Sequence, residues 1–556
     1  MQNSMLKRIA DRFLDGNELQ KRYDSLKSQR STYDSRWQEI QRHIAPNARN
    51  YTSRGSFVPE PQTSGIGNST GHIGALIDRR VSMLSSEVCD PTVKWLNIKF
   101  GDININQNHA AAQWLKVCEE SLYSLFGDPS SRFYTATTAF HFDWYTIGTA
   151  CRHVTLRRDN GKISYSTVSM QDIYIEPSPY GDVESVFRRF NLTAKQAVGL
   201  WGKNIHQSIQ QEAIKYTNQT AQKYEFFEAV IPNPIKSQIP SLDWLSCVVD
   251  CRHKTIVDVG LHACNPYVVA RYFVAPGETY GRSLIWNLMP DIVTQNQLNI
   301  RMLQSIDYAT MPVTAVKDLS SIRPEQIAPG GFVQGLDENG RPTFHPISFG
   351  GDVGAALQFY AAKKDEIIDA IGANEPLPPS EAVRSATEFN QRKLIHFVRM
   401  RPAIVRLESE DLQNTIIASL KLLEQTGDLP PFPYEDAKID QTLLPDPIKQ
   451  LRVSFSGQLR KMQMLQSLQE CDMFLEKIGL ASNIKPDVLD VVNMDNLVSE
   501  EARIYDLPAG VINSPEVVRE IREERSKQQQ AQQQAQQQAI LLDNMIKLRG
   551  ARLDEQ

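Results

Sequence analysis

Much that would mark a membrane protein, a secreted protein or a nucleic-acid clamp is missing from this chain. No stretch approaches the ~20 consecutive apolar residues that a helix needs to cross a bilayer, so no membrane partner is expected. Met1 to Leu14 carries charges throughout and lacks the apolar centre of a secretory signal. Cysteine is sparse, seven in 556 residues. The number is odd and the positions are scattered, which fits reduced thiols in a cytoplasmic setting better than a disulfide framework. Neither sign of charge dominates: 60 Lys and Arg stand against 65 Asp and Glu, a formal net charge of -5. That balance argues against a broad basic face gripping nucleic acid, because every phosphate contact adds salt-dependent affinity. It permits DNA to slide past.

Motifs for chemistry are equally thin. Gly199-Leu200-Trp201-Gly202-Lys203-Asn204 has neither the spacing of a phosphate-binding loop nor its Ser/Thr for Mg²⁺, and it follows a helix, not a strand. Asp, Glu and His show no defensible spacing of nucleophile, base and orienting group, so no catalytic residue is assigned and no cofactor is expected. Cys247, Cys251, His253, His262 and Cys264 are the one cluster with metal-ligand chemistry. Zinc wants tetrahedral S and N ligands, commonly in Cys-x(2–4)-Cys pairs. The alternative, a hairpin with buried thiols and surface histidines and no metal, is the expectation adopted.

What is present is enough apolar sequence for several cores: 41% of the residues are hydrophobic, and single cores stop growing near ~250–300 residues. Helical periodicity runs over 19–45, where Leu19, Tyr23, Leu26, Tyr33, Trp37, Ile40 and Ile44 recur, and over 73–88, 109–126 and 133–147. Residues 47–68 form a polar, Gly/Pro/Ser/Thr-rich loop. Alternation marks strands at 93–100, then at 150–157 and 162–168 around the turn Asp159-Asn160-Gly161. More strands follow at 172–177, 183–190, 224–231, 244–249, 255–259 and 268–273. A short helix over 193–201 is capped by Asn191 or Thr193. The expected fold class is α+β.

The centre of the chain has a distinct order. Ser283 opens a helix that Pro290 interrupts, and a helix of roughly 27 Å restarts at Asp291 and runs to Tyr308. A Pro- and Gly-punctuated β-like insert, with a hairpin signal at Asn339-Gly340, leads to a second helix of about 27 Å over 354–371. Pro376, Pro378 and Pro379 then exclude helix. A very long helix follows from Ser385 to Gln425, with a kink or break at Pro402. Two helices bracketing a compact insert suit the stave of a ring. Residues 439–455 look strand-like, and 461–556 look helical in four pieces, 461–480, 485–492, 495–505 and 514–550. The last contains the Gln-Gln-Gln-Ala repeat of Gln528 to Gln538, which reads as exposed low-complexity helix or disorder or, alternatively, as a self-associating crown of stacked Gln helices.

Gly277-Glu278-Thr279-Tyr280-Gly281-Arg282-Ser283 resembles the G-E-S-Y-G-R-S stretch of the head-to-tail connector (portal) proteins of short-tailed, T7-like bacteriophages. Arg22-Tyr23-Asp24-Ser25-Leu26-Lys27 and 33–37 resemble that family's opening helix, and Arg384-Ser385-Ala386-Thr387-Glu388-Phe389 is similar to its R-x-T-A-E-E-like helix start. The resemblance covers nearly the whole chain in element order. It implies a twelve-subunit ring at one capsid vertex of the virion, assembled in the host cytoplasm, through which double-stranded DNA passes during packaging and ejection. It also implies a portal-type architecture. After an N-terminal segment (1–17) come a wing (18–281), a first stem helix (282–308), a clip (309–353) and a second stem helix (354–372). A tunnel loop (373–385), the rest of the wing (386–457) and a helical crown (458–556) complete it. Implied partners are the terminase large subunit, tail adaptor and tail tube proteins, and the major capsid and scaffolding proteins. The Gln-Ala tract departs from the family pattern.

If the tunnel loop lines a channel, Arg384, Arg392 and Lys393 present a charge that the ring multiplies. Equally, they pair on a helix surface, as Glu388 and Arg392 would at i,i+4. In the clip, Lys317, Arg323, Asp337 and Arg341 stand among the mixed charges that suit docking and exchange of partners. The rival functions are a packaging nuclease or ATPase, disfavoured by the missing signatures, and a tail adaptor or internal core protein, disfavoured by length and element order.

Overall fold

The computed structural model describes residues 14–44, 71–102, 105–106, 108–157, 161–215, 223–234, 242–310, 314–316, 344–346, 353–372, 400–455, 473–480, 497–498 and 517–531. The chain divides into two units, Met1–Leu459 and Arg460–Gln556. In the second, the described residues are helical, and 517–531 is almost wholly exposed.

The first unit is mixed helix and sheet, as the α+β expectation required. It begins with α1 (Gly16–Ile44), whose buried Leu19, Tyr23, Leu26, Arg30, Trp37, Ile40 and Ile44 make one helical stripe. Next come α2 (Gly71–Val88), β1 (Leu96–Phe100), α3 (His109–Gly127) and α4 (Phe133–Thr146). Asn108 caps α3 by accepting from the Ala110 and Ala111 N–H groups. The hairpin of β2 (Thr149–Leu156) and β3 (Ile163–Val168) leads to β4 (Ile173–Pro177) and β5 (Val183–Thr193). Thr193 and Gln196 form a reciprocal capping box at α5 (Ala194–Trp201). A further helix, α6 (Gln207–Lys215), precedes β6 (Lys223–Pro232), β7 (Trp244–Asp250), β8 (Thr255–His262) and β9 (Tyr267–Arg271).

The strands form a five-stranded antiparallel meander, β4-β5-β6-β7-β8, and a three-stranded sheet, β3-β2-β9. One face of the meander packs on α1 through Tyr23, Tyr174, Phe187 and Phe227. The largest core joins α2, α3, α4 and the central helices described next.

Helix α7 (Leu284–Thr310) runs through Pro290 without a break, which corrects the expected interruption. A proline deprives one upstream carbonyl of its partner, and packing on both sides of the position offsets that loss: Ile285, Met289 and Ile292 are all buried in the large core. The insert retains an antiparallel pair, β10 (Thr314–Val316) with β11 (Phe344–Pro346), and α8 (Val353–Ile371) returns beside α7. Residues 400–407 are helical through Pro402, and the irregularity lies further on, in a single π turn at Glu408–Leu412 that continues into α9 (Gln413–Thr426). Of the strand-like stretch 439–455, only β12 (Leu451–Phe455) is a strand. It pairs with the distant β1 and so ties the end of this unit to its beginning.

Candidate functional site

Residues 277–283 form the junction at which the sheets hand over to α7. Tyr280 is buried between Trp37 (ring centroids 5.5 Å apart) and Tyr33 (5.1 Å), and its hydroxyl accepts from the Ile175 N–H at 3.2 Å. Burial holds its phenol firmly protonated. The Gly281 N–H donates to Thr149 Oγ1 (2.8 Å), the Arg282 N–H to the Phe273 carbonyl (2.7 Å), and Arg282 pairs with Glu278. Ser283 Oγ accepts from the Trp286 N–H (3.0 Å), the N-cap bond that starts α7.

Two glycines make the junction possible. A Cβ on Gly281 would lie 2.2 Å from the Gly148 carbonyl oxygen, and one on Gly148 would lie 2.4 Å from the Ser283 nitrogen. Gly148 also has φ +90, which disfavours any side chain. The family-like word thus encodes a close backbone crossing, an aromatic plug and a helix cap.

Behind the junction, the π turn presents two successive carboxylates to two neighbouring strands. Asp411 meets Arg152 of β2 in a bidentate pair (2.9 and 2.7 Å), both side chains fully buried. Thr137 and Thr415 complete the hydrogen bonding, and the guanidinium lies 4.8 Å from the Phe140 ring centroid. Glu410 accepts from the backbone N–H of Arg271 (2.7 Å) and from its guanidinium (2.8 Å), with Arg406 alongside (3.0 Å). An open polar cavity of about 620 Å³ borders this second pair. Its charges Arg271 and Glu410, and Lys449 and Asp243, are already paired with each other.

The central helix pair has two unlike ends. Near the junction, Ile285, Met289 and Ile292 of α7 and Ile367 and Ile371 of α8 lie in the large core, and the Tyr145 hydroxyl donates to the Ile371 carbonyl at 2.6 Å. Lys363 bridges the helices to Asp291 (2.8 Å), and its hydrogen bonds to Asp291 and Glu366 raise its pKa. Toward the insert, Leu303 and Ile306 of α7 and Leu357 and Phe359 of α8 are exposed, Phe359 at 57%.

The sequence-derived sites divide accordingly. The structure brings Gly277, Glu278, Tyr280, Gly281, Arg282 and Ser283 together at the junction. Arg384, Arg392, Lys393, Lys317, Arg323, Asp337 and Arg341 lie outside the described residues, as do the Asn339-Gly340 turn and the Pro376–Pro379 loop. The Cys/His cluster is spread out: Cys247 is buried in the core against α1, His262 pairs with Ser246 (3.0 Å), His253 with Asp250 (2.6 Å), and Cys264 borders the polar cavity. Among the described residues no group of three or more His, Cys, Asp or Glu could hold a metal ion. Sequence reasoning missed Gly148, Arg152 and Asp411, none of which belongs to a recognisable word.

The family model described as bacteriophage head to tail connecting protein matches residues 16–512. A probable portal protein of Bordetella phage BPP-1 is 23% identical over 525 residues, covering 91% of this chain and 90% of its own length. A portal protein of Salmonella phage epsilon15 is 23% identical over 536 residues, 92% and 91% of the two chains.

Proposed function

We propose a division of labour for this chain, which belongs to the family of bacteriophage head to tail connecting proteins and acts as a phage portal. Copies of the chain assemble into a ring at the capsid vertex, its role there structural. In the finer reading the ring has twelve subunits. Residues 18–281 and 386–457 form its wing, 282–308 and 354–372 its stem, 309–353 its clip, 373–385 its tunnel loop and 458–556 its crown.

One observation carries the stem assignment. The helix pair is anchored at one end in the protomer's own core, while Leu303, Ile306, Leu357 and Phe359 are left in water at the other. Fully burying a side chain of this size is worth about 1.5–3 kcal/mol, so repeated contact with the next copy supplies a closing force. The two helices offer different surfaces, and a heterologous contact of that kind closes into a ring when the rotation permits.

Within the ring, Arg384, Arg392 and Lys393 face the DNA channel. The clip residues Lys317, Arg323, Asp337 and Arg341 dock first the terminase large subunit and then the tail adaptor, while scaffolding and major capsid proteins place the ring in the shell. Negative-stain imaging of the purified full-length chain tests the assembly: closed annuli with a central hole are expected, and a solitary particle at all concentrations overturns it. For the channel, Arg384→Ala and Lys393→Ala should leave annuli intact and lower genome packaging or retention, and normal packaging in both removes the DNA role.

A further inference from the structure

The helix at 517–531, in the second unit, stands in water: every residue from Arg519 to Ala531 is exposed. An isolated helix of about this length is marginal, because nucleation costs more than a few turns return. Its charges add to that cost. Arg519, Arg522 and Arg525 follow one another at i,i+3, and Glu520 has Glu523 at i,i+3 and Glu524 at i,i+4. Like charges at these spacings repel. Arg522 and Arg525 have no acidic residue three or four positions away on either side. Within 517–531 only Arg519 with Glu523, and Lys527 with Glu523 and Glu524, have the spacing for a pair on the same helix.

The charges are sorted in space. At about 100° per residue, the three arginines form one edge of the helix and Glu520, Glu523 and Glu524 form another, their centres about 150° apart. Lys527 falls at the C-terminal end of the acidic edge. The edges also run at the same height: Arg519 and Glu520, Arg522 and Glu523, and Arg525 and Glu524 are adjacent residues, roughly 1.5 Å apart along the axis. Val517 and Ile521, 41% and 40% exposed, lie between the edges on the wider arc. A two-fold dimer would set each edge against itself, arginine facing arginine. A neighbour placed in parallel sets arginine against glutamate on both sides.

We infer that this helix packs side by side with the same helix of neighbouring copies, parallel and in register. Arg519, Arg522 and Arg525 of one copy face Glu520, Glu523 and Glu524 of the next. The partner is a second copy of this chain, because the chain's own two edges match in sign, spacing and height. The contact is heterologous, and with the edges less than 180° apart each added copy turns the row toward closure. Exposed ion pairs are individually weak, so these fix register and partner choice more than they drive association. The inference rests on the ring reading, which brings the copies together, and gives the crown a specific subunit contact.

The test is disulfide crosslinking of the full-length protein with copper phenanthroline at low salt, with annuli counted in parallel by negative stain and the parent chain as the background for native thiols. Arg522→Cys/Glu523→Cys should give a ladder of joined chains, and neither single variant should. Arg519→Cys/Lys527→Cys uses the same two edges about 12 Å out of register, and should link about tenfold more slowly. On the Arg522→Cys/Glu523→Cys background, Arg519→Glu/Arg525→Glu should slow the ladder about tenfold, and adding Glu520→Arg/Glu524→Arg should restore it. Annuli without a ladder, or a ladder no faster than the out-of-register pair, overturn the inference and leave the ring standing. A single variant that links as fast as the pair shows like edges in contact and overturns it, as does an exchange of charges that restores nothing. Solitary particles without a ladder overturn both readings.

Discussion

The two ends of the α7–α8 pair are built from similar apolar residues but carry opposite burdens. At the junction end, Ile285, Ile292, Ile367 and Ile371 are enclosed by their own protomer, the Tyr145 hydroxyl is bonded to the Ile371 carbonyl and Lys363 bridges the two helices through Asp291. At the insert end, Leu303, Ile306, Leu357 and Phe359 have no such enclosure. In the proposed ring, one end sets whether the protomer folds and the other sets what the protomer does with its copies. Substitutions should separate the two properties, which makes the contrast testable.

The largest effect is expected behind the junction. Removing one partner of a fully buried ion pair strands the other, at a cost of about 3–5 kcal/mol. Asp411→Ala leaves Arg152 in that state, because its remaining bonds go to Thr137 and to ring faces. Urea unfolding should register the loss in full. An Arg152→Met/Asp411→Leu double variant should recover most of it, since well-packed apolar replacements of buried ion pairs are often neutral. A double variant as unstable as Asp411→Ala would mean that the pair is needed for more than charge balance.

Next in size is the glycine crossing. Gly281→Ala must displace backbone, since its new Cβ meets the Gly148 carbonyl at 2.2 Å and the Tyr272 nitrogen at 3.0 Å. Overpacking of this kind costs about 1–3 kcal/mol. A stability change below about 0.5 kcal/mol, the ordinary range for surface positions, would show that the junction gives way easily.

These two sites also show what could be seen in the sequence. Periodicity disclosed α1 to α5, α8 and most strands, because each buries one face at a regular interval. The word at 277–283 was visible, but its purpose was not: the residue that requires Gly281 to be glycine is Gly148, far away in the sequence in the turn between α4 and β2. Arg152 and Asp411 are 259 residues apart and have no local signature. Helix α6 escaped notice because it is nine residues long and buries little beyond Ile209 and part of Ala213. Pro290 misled, because the packing that carries a helix through a proline is tertiary.

A smaller effect, visible only in acid, comes from His141. It is fully buried, with Ser85 Oγ 2.9 Å from its Nδ1 and no partner for Nε2. Burial first, and then the nearby Arg152 charge, push its pKa down to about 3 from the usual 6.5. The unfolded chain thus binds a proton at a pH where the folded chain does not, and stability falls as pH drops below 6.5. By linkage this one group removes about 2 kcal/mol by pH 5. His141→Gln should give a shallower decline between pH 6.5 and 5 than the parent, and an equal slope would assign the acid sensitivity elsewhere.

The smallest effect on the protomer should carry the largest consequence for assembly. Phe359 is 57% exposed and Leu357 47%. Replacing either with Ser removes little that the isolated protomer buries, so its unfolding free energy should stay within about 0.5 kcal/mol. In a ring the same change is repeated at every interface, and each copy forfeits apolar burial worth up to about 1.5–3 kcal/mol. Phe359→Ser and Leu357→Ser should therefore unfold like the parent at a concentration where all are monomeric, yet form fewer annuli at a given concentration. Unchanged annuli would place the subunit contact on another face. A destabilised monomer would mean that the exposed end was already engaged within its own chain, and the contrast between the two ends would disappear.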